Sequence, residues 1–442
     1  MPNWNKLYSS RCWINEQLVP ATIQIEQNKI ISVKEDKDMD AMDFVNAVIM
    51  PGGIDAHVHI NEPGRTDWEG FETATLAAAA GGITSIIDMP LNSSPVTTSA
   101  QALQRKLEAS TGKLNVNVGF YGGIIPGNEP AIEELCEQGV LGIKAFLTHS
   151  GIDEFPNVGK EELEIVMPVL KKYDRPLLAH CEISDELHQA ALHQHPSVYK
   201  AYLQSRPEEW EVKAINLMVE LCARHHCKTH IVHVSSAHAL PFIEKAKQAG
   251  LPLTAETCPH YIYFSAEEIK DGATLLKCAP PIRSKENNGQ LKFAFQNGIL
   301  NFIASDHSPA PPQLKALDSG NFEKAWGGIA GLQFLLSATY TALSGTLPLE
   351  KIIPLLTTQP AKFLGLEQKG KLAPGMDADL VIWMPEESYI VEEENILHRH
   401  KTTPYLGRRL KGKVETTIVN GKRVFHQNKF IHKNAGTWLM KK

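Results

Sequence analysis

Short apolar runs alternate with amphipathic stretches through the middle of the chain, and the alternation repeats eight times. The stretches between the runs, such as "ELEIVMPVLKKY" and "EVKAINLMVELCARH", place apolar residues three or four positions apart, which is typical of helices that bury one face. Eight strand–helix units predict an α/β fold, a (β/α)8 TIM barrel. The eight runs are "AVIMPGGIDAHVHI", "GGITSIIDMP", "LNVNVGFYGG", "GVLGIKAFLT", "RPLLAHCEI", "KTHIVHVSS", "LPLTAETCPH" and "LNFIASDHSP".

The two ends of the chain have a different pattern, with short strands and no helical stretches between them. The N-terminal part includes "QLVPATIQIEQNKIISV", and the C-terminal part includes "VETTIVNGKRVF", whose Asn-Gly pair is typical of a tight hairpin. Two β-rich ends most simply pair with each other. The sequence therefore predicts a barrel domain over residues 51–369 and a small β-sandwich domain formed by residues 1–50 and 370–442.

The charge, the apolar stretches and the cysteines of the chain limit which partners and which cellular compartment are expected. The 442 residues have a formal charge of −6 at pH 7, which gives no support for a nucleic acid or an anionic membrane as a partner. No apolar stretch approaches the about 20 residues of a membrane span, and the start "MPNWNKLYSS" lacks the features of a secretory signal. Seven scattered cysteines predict reduced thiols in a cytoplasmic enzyme rather than a disulfide framework.

Reactive side chains stand near the end of several predicted strands. Residues two apart on a strand share a face, so Asp55, His57 and His59 in "GGIDAHVHI" point the same way. A single buried histidine is more often a core residue, but several at matching strand ends indicate a metal site. The carboxyl ends of barrel strands build the active site, so closure of the barrel brings these residues to one rim. The others are Lys144, His180, His233 and Asp306.

Lys144 is the unusual member of this set, because an ammonium flanked by apolar neighbours in "GIKAF" is costly to bury without a partner. In one interpretation its side chain extends along the wall and leaves the ammonium in solvent at the rim. In the other, the amine has reacted with carbon dioxide to give N6-carboxylysine. That carbamate is an anion with two oxygens, and it can bridge two metal ions.

With the carbamate, the rim supplies six ligands, which is enough for two divalent ions. Imidazoles and anionic oxygens suit zinc, and manganese, cobalt or iron are also compatible. A water that bridges two such ions loses its proton near neutral pH and becomes a nucleophile. Asp306 is then the catalytic residue that passes a proton to the leaving nitrogen, although it could instead cap the following turn. One ion takes His57, His59 and Asp306, the other takes His180 and His233, and carboxylated Lys144 bridges them.

The ordered motifs "HVH", "GIKAF", "LLAHCE", "VHVSS" and "SDHSP" resemble the amidohydrolase superfamily, in its cyclic amidohydrolase branch. The resemblance extends over nearly the whole chain. It implies a TIM barrel with a β-sandwich, two metal ions, a carboxylated lysine at position 144 and a homotetramer. It also implies that the six residues named above are the metal ligands, with Asp306 serving in addition as the proton shuttle.

The branch opens the rings of dihydroorotate, hydantoins or allantoin. Members that act on dihydroorotate carry an arginine for the substrate carboxylate at the position of Asn61, so a small neutral cyclic ureide fits this chain better. The resemblance implies hydrolysis of allantoin to allantoate, with a dihydroorotase or a hydantoinase/dihydropyrimidinase as alternatives. A non-catalytic scaffold is a further alternative, although no ligand position is vacant. The stretches that resemble allantoin-hydrolysing members are "NEPGRTDWEGFETATLAAAAGGITS", "MPLNSSP", "KCAPPIR", "SDHSPAPPQLK", "AWGGIAGLQ" and "RHKTTPYLGR".

Four residues are candidates for contact with the substrate. By similarity to relatives, backbone groups around Ala279 and Gly328 hold ring amides, and Asn61 or Asn92 faces the ring. Each has a structural alternative, since Gly328 can permit a tight turn and Asn92 can cap one.

Overall fold

The computed structural model describes residues 3–185 and 187–441. Long strands lie toward the two ends of the chain, and short buried strands are spread through its middle. The strands are β1 (Asn3–Ile14), β2 (Gln17–Glu26), β3 (Lys29–Lys34), β4 (Ala41–Asp43), β5 (Val48–Pro51), β6 (Gly53–Val58), β7 (Ile83–Asp88), β8 (Asn117–Phe120), β9 (Gly122–Gly123), β10 (Ile143–Phe146), β11 (Leu177–His180), β12 (Thr229–Ile231), β13 (Leu253–Thr257), β14 (Phe302–Ile303), β15 (Leu380–Ile390), β16 (Arg409–Val419), β17 (Lys422–His426), β18 (Lys429–Phe430) and β19 (Trp438–Leu439).

Helices follow the short central strands, as the apolar periodicity predicts. The longest, α7, has three glutamates in its first turn and Arg224 and His225 in its last, which complements the helix dipole. No helix in the described residues has the length and apolar character needed to cross a membrane. The helices are α1 (Phe71–Ala80), α2 (Ala100–Ser110), α3 (Ala131–Glu137), α4 (Lys160–Lys172), α5 (Ala190–Gln194), α6 (Tyr199–Ser205), α7 (Glu208–His225), α8 (Leu240–Gln248), α9 (Pro259–Tyr263), α10 (Lys285–Gln296), α11 (Leu335–Leu343), α12 (Leu349–Leu356) and α13 (Thr358–Leu364).

The central strands form a closed parallel barrel, which confirms the predicted fold class. Strands β6, β7 and β8 pair in parallel, and so do β9 to β14. The two sheets join where Leu141 N donates to Phe120 O at 2.9 Å, and β9 continues the line of β8 after Tyr121. The ring closes at a parallel bridge between Val58 and His307. Each of the eight apolar runs therefore forms one of the eight positions in the barrel wall, with β8 and β9 together filling one of them.

The two ends of the chain form one nine-stranded sheet, in the order β18-β17-β16-β15-β5-β1-β2-β3, with β4 beside β1. Strand β5 pairs with β1 on one side and with β15 on the other, so it joins the two ends, and β6 of the barrel follows it directly. Strand β19 instead pairs in parallel with barrel strand β8. The boundaries at residues 50 and 370 stay predictions.

A buried ion pair ties helix α2 to the barrel beneath the candidate site. Asp88 ends β7, and its Oδ2 accepts from Lys106 Nζ at 2.6 Å, while its Oδ1 accepts from Ile60 N at 2.9 Å. Lys106 also donates to Met89 O at 3.0 Å. Asp88 is fully buried and Lys106 nearly so, and burial raises the pKa of Asp88. The pair therefore fixes the carboxyl ends of the adjacent strands β6 and β7.

Replacing Lys106 with methionine keeps the length of the side chain but leaves Asp88 buried without its partner. We expect Lys106→Met to lower the free energy of unfolding by about 3–5 kcal/mol, as is typical when one member of a buried ion pair is removed. Arg105→Met, on the exposed face of the same helix, is the matched control, with an expected change within about 0.5 kcal/mol. Urea denaturation measures both, and equal midpoints for the two variants would contradict the prediction.

Candidate metal centre

Three of the predicted ligands meet at the carboxyl end of the barrel. His57 lies in β6, His59 follows the end of that strand, and Asp306 lies three residues after β14. Asp306 Oδ1 is 3.2 Å from His57 Nε2 and 3.3 Å from His59 Nε2. One ligand atom from each residue lies within 4.8 Å of those of the other two, and all three residues are buried. This group has the composition and spacing that hold a metal ion.

The hydrogen bonds of the two histidines direct a lone pair at the same point. His59 Nδ1 is 3.0 Å from the carbonyl oxygen of Leu91, which can only accept, so this nitrogen carries the proton. His57 Nδ1 is 2.7 Å from Glu256 Oε1. Burial lowers the pKa of His57 well below its usual value. The Nε2 atoms of both rings then face the same carboxylate oxygen of Asp306, an arrangement that a cation between them stabilises.

A second pair of histidines lies beside the first. His180 Nδ1 and His233 Nε2 are 3.0 Å apart, and the rings of His57 and His233 have centroids 5.5 Å apart. His180 Nε2 is 2.8 Å from Glu182 Oε2, so its Nδ1 is the nitrogen left to bind a cation. Burial lowers the pKa of both His180 and His233, which keeps their imidazoles neutral.

Lys144 lies within β10 and is fully buried, so its ammonium does not extend to solvent. This excludes the interpretation in which the side chain reaches the rim. Its Nζ has no hydrogen-bond partner among the described residues and lies 4.9 Å from the ring centre of Phe146. Burial lowers its pKa to about 8, against the pull of the Asp306 and Glu256 carboxylates. A buried amine without a partner is the kind of group that a covalent or ionic addition would satisfy.

Sequence reasoning missed Glu256 and His230, which lie inside the barrel behind His57. Glu256 is on β13, its Oε1 contacts His57, and its Oε2 is 3.2 Å from His230 Nε2 on β12. Burial raises the pKa of Glu256 to about 8. The available signal was the single acidic residue within the apolar run "LPLTAETCPH". Asp55, placed correctly on the face of His57, accepts from the backbone N–H groups of His57 and Ser305.

Several residues at the site hold a left-handed backbone that side chains rarely adopt. Asn61, His233 and Asp306 have φ values of 69°, 39° and 45°. Such conformations cost free energy and persist only where the surrounding contacts enforce them. Their occurrence at two of the predicted ligands places local strain at the rim where the reactive side chains converge.

A cavity of about 680 Å³ opens onto the ligand cluster. Asn92 and Ala279 line it, and the Asn92 amide donates to Asn61 Oδ1 at 3.3 Å. Gly327 also lines the cavity, whereas a Cβ on Gly328 would lie 2.4 Å from Ser308 O, which is closer than any side chain permits. The glycine at 328 thus has the structural role of allowing close backbone approach.

Comparison with known proteins agrees with this fold. Residues 48–424 match the family model described as the amidohydrolase family, and the chain belongs to that family. Within it, allantoinase from Arabidopsis thaliana is 41% identical over 95% of this chain and 88% of the relative. Allantoinase from Saccharomyces cerevisiae is 40% identical over 95% of each chain. The solved structure of L-hydantoinase (dihydropyrimidinase) from Arthrobacter aurescens has a TM-score of 0.91 at 28% identity and covers 98% of this chain and 99% of that chain.

Proposed function

We propose that this chain is an allantoinase, which adds water across the cyclic amide of allantoin and releases allantoate in ureide degradation. The proposal rests on the 40–41% identity with two allantoinases over 95% of the chain. The site is consistent with it, because a neutral ring needs no arginine at the position of Asn61. Asn61 instead pairs with Asn92, which lines the cavity.

We also propose that the centre holds two divalent cations, most simply zinc, with Lys144 present as N6-carboxylysine. The facing imidazole nitrogens and the unpartnered Lys144 amine support this assignment. When bound, such ions polarise a carbonyl group and acidify a water molecule. One ion would be held by His57, His59 and Asp306, the other by His180 and His233, and the carbamate of Lys144 would bridge them.

Asp306 is the group placed to move the proton. Its carboxylate borders the cavity, where it accepts a proton from the attacking water and transfers it to the leaving amide nitrogen. The surrounding residues hold this geometry, since Leu91 O fixes the ring of His59 and Glu256 fixes that of His57. The C–N bond of the ring breaks, the oxygen of the water becomes part of the new carboxylate, and the ring N–H, having gained the proton, becomes the NH2 at the other end of the opened product.

Parallel assays on the metal-loaded protein test the substrate. We expect kcat/KM for allantoin to exceed those for dihydroorotate, dihydrouracil and hydantoin by about 100-fold or more, the scale set by unpaired polar groups in a site built for another ring. Turnover of dihydroorotate without allantoin would overturn the proposal. Preference for hydantoin or dihydrouracil would instead assign the hydantoinase/dihydropyrimidinase activity named for the structural relative.

We infer that the protein is located in the cytoplasm and that four copies of the chain assemble into a homotetramer. All seven cysteines are buried and unpaired, which supports a reducing environment. The tetramer is supported by the resemblance to cyclic amidohydrolases. Light scattering is expected to give four times the chain mass of 48.9 kDa, and a monomer mass would contradict the assembly.

The role of Glu256 gives a separate prediction about metal affinity. Glu256→Gln keeps the size of the side chain but replaces the carboxyl group that contacts His57 Nδ1 at 2.7 Å with an amide. We expect the affinity for metal to fall by about 10–100-fold, the usual effect of losing a partner behind a ligand. Competition with a fluorescent chelator measures it, with the exposed Glu268→Gln as control. Equal affinities in the two variants would show that Glu256 does not support the site.

A further inference from the structure

One buried ammonium joins three separate stretches of the sequence that resemble allantoin-hydrolysing relatives. Lys315 ends both the stretch "SDHSPAPPQLK" and the short 3-10 helix Pro312–Lys315, and its side chain is buried. Its Nζ donates to Lys277 O at 3.2 Å, in "KCAPPIR". It also donates to Trp326 O at 2.9 Å and Gly328 O at 2.8 Å, in "AWGGIAGLQ".

These three bonds use the full donor capacity of the ammonium. Each of its three hydrogens has a backbone carbonyl acceptor. Burial lowers its pKa to about 7, while the three carbonyl dipoles favour the charged form. A buried lysine with only backbone acceptors acts as a cross-link between chain segments. It holds their backbones at fixed separation.

The segments that Lys315 joins are two walls of the substrate cavity. Trp326 and Gly328 flank Gly327, which lines the cavity, and Lys277 precedes Ala279, which lines it from the other side. The walls meet there, because a Cβ on Gly327 would lie 3.8 Å from that of Ala279. Lys277 adds a second link between them, since its own Nζ donates to Ala325 O at 2.6 Å.

The same loop is anchored to the segment that carries Asp306. The indole Nε1 of Trp326 donates to Ser308 O at 3.2 Å, and Ser308 lies two residues after Asp306. The position of the 326–328 backbone therefore sets the distance between the cavity wall and the catalytic carboxylate. A ring that rests on this wall presents its amide to Asp306 at a separation that Lys315 helps to determine.

We propose that Lys315 is a positioning residue for the substrate ring, which acts by fixing the backbone of Lys277 and of residues 326–328. The proposal rests on the proposed function, since it assumes a cyclic ureide in this cavity. Lys315 touches no predicted metal ligand in the structure, so its loss acts on the binding of the ring and not on the metal centre.

The test separates KM from kcat in Lys315→Met, with Lys315→Gln as a milder variant that keeps two donors and Lys351→Met as the exposed control. We expect KM for allantoin to rise about tenfold in Lys315→Met and less in Lys315→Gln, with a smaller fall in kcat and normal metal content per chain. A purely structural role would instead lower kcat and metal content together through loss of folded protein and leave KM unchanged. That outcome, or wild-type KM in both variants, would overturn the proposal.

The failure of the proposed function is recognised separately. If the wild-type protein does not hydrolyse allantoin, the substrate assignment fails, and the same KM comparison is made with the ring that the wild-type protein does hydrolyse. Should Lys315→Met fail to fold, the KM of Lys315→Gln decides the question. A change in KM on either ring supports the role of Lys315, and an unchanged KM refutes it.

Discussion

Asp306→Asn is expected to lower kcat for allantoin by about 1,000-fold or more, within the range that positioned acid–base groups contribute. Asparagine has nearly the same shape, but its amide cannot accept a proton from water or deliver one to the leaving nitrogen. It also replaces the anionic oxygen that lies 3.2 Å and 3.3 Å from the two imidazole nitrogens, so weaker metal binding adds to the loss. Steady-state kinetics with metal analysis on the same sample separate the two effects.

The exposed Asp318→Asn, on the loop that follows the site, is the matched control, and its kcat should equal that of the wild-type protein. Circular dichroism should show native structure in both variants, because Asp306 borders the cavity and asparagine has nearly the same shape. If Asp306→Asn with full metal content keeps more than about a tenth of the wild-type kcat, another group moves the proton.

The fold could be predicted because apolar periodicity is a local signal. Each apolar run that predicts a strand forms one position in the barrel wall, and the stretches over α4 and α7 form helices, as their spacing predicts. The interruption between β8 and β9 could not be predicted, since it depends on partners from other parts of the chain: Tyr121 N donates to Asp88 O at the end of neighbouring β7, at 3.0 Å, and Gly122 N donates to Gly142 O just before β10, at 3.0 Å. The return of β19 to the barrel likewise depends on a pairing between positions about 320 residues apart.

The same distinction between local signals and contacts across the fold applies to the candidate site. His57 and His59 could be predicted from the two-residue alternation within one strand, and Asp306 from its place at the end of another. Glu256 could not, because its role depends on which residue of β6 it meets across the barrel interior, and no sequence spacing encodes that contact. Lys315 is similar, since its three acceptors are backbone carbonyls, which leave no residue pattern in the sequence.

Lys144→Ala is expected to remove most of the bound metal and with it nearly all turnover. Lys144 is fully buried beside carboxylates and histidines, and its amine has no hydrogen-bond partner among the described residues. As a carbamate it would supply the one anion able to contact both halves of the centre, so its removal leaves five ligands for two cations. Metal content after dialysis, measured by elemental mass spectrometry, should fall well below that of the wild-type protein.

Short carboxylic acids provide the decisive control for the chemistry at this position. Alanine leaves a space beside the histidines, and acetate or propionate placed there would supply two oxygens in place of the carbamate, so partial recovery of metal content and turnover is expected in Lys144→Ala. Lys144→Arg should show no recovery, because its guanidinium stays charged and fills the space. Lys351→Ala, on an exposed helix face, should retain all metal. Full metal content in Lys144→Ala would remove the carbamate from the mechanism, and the metal would then be held by the histidines and Asp306 alone.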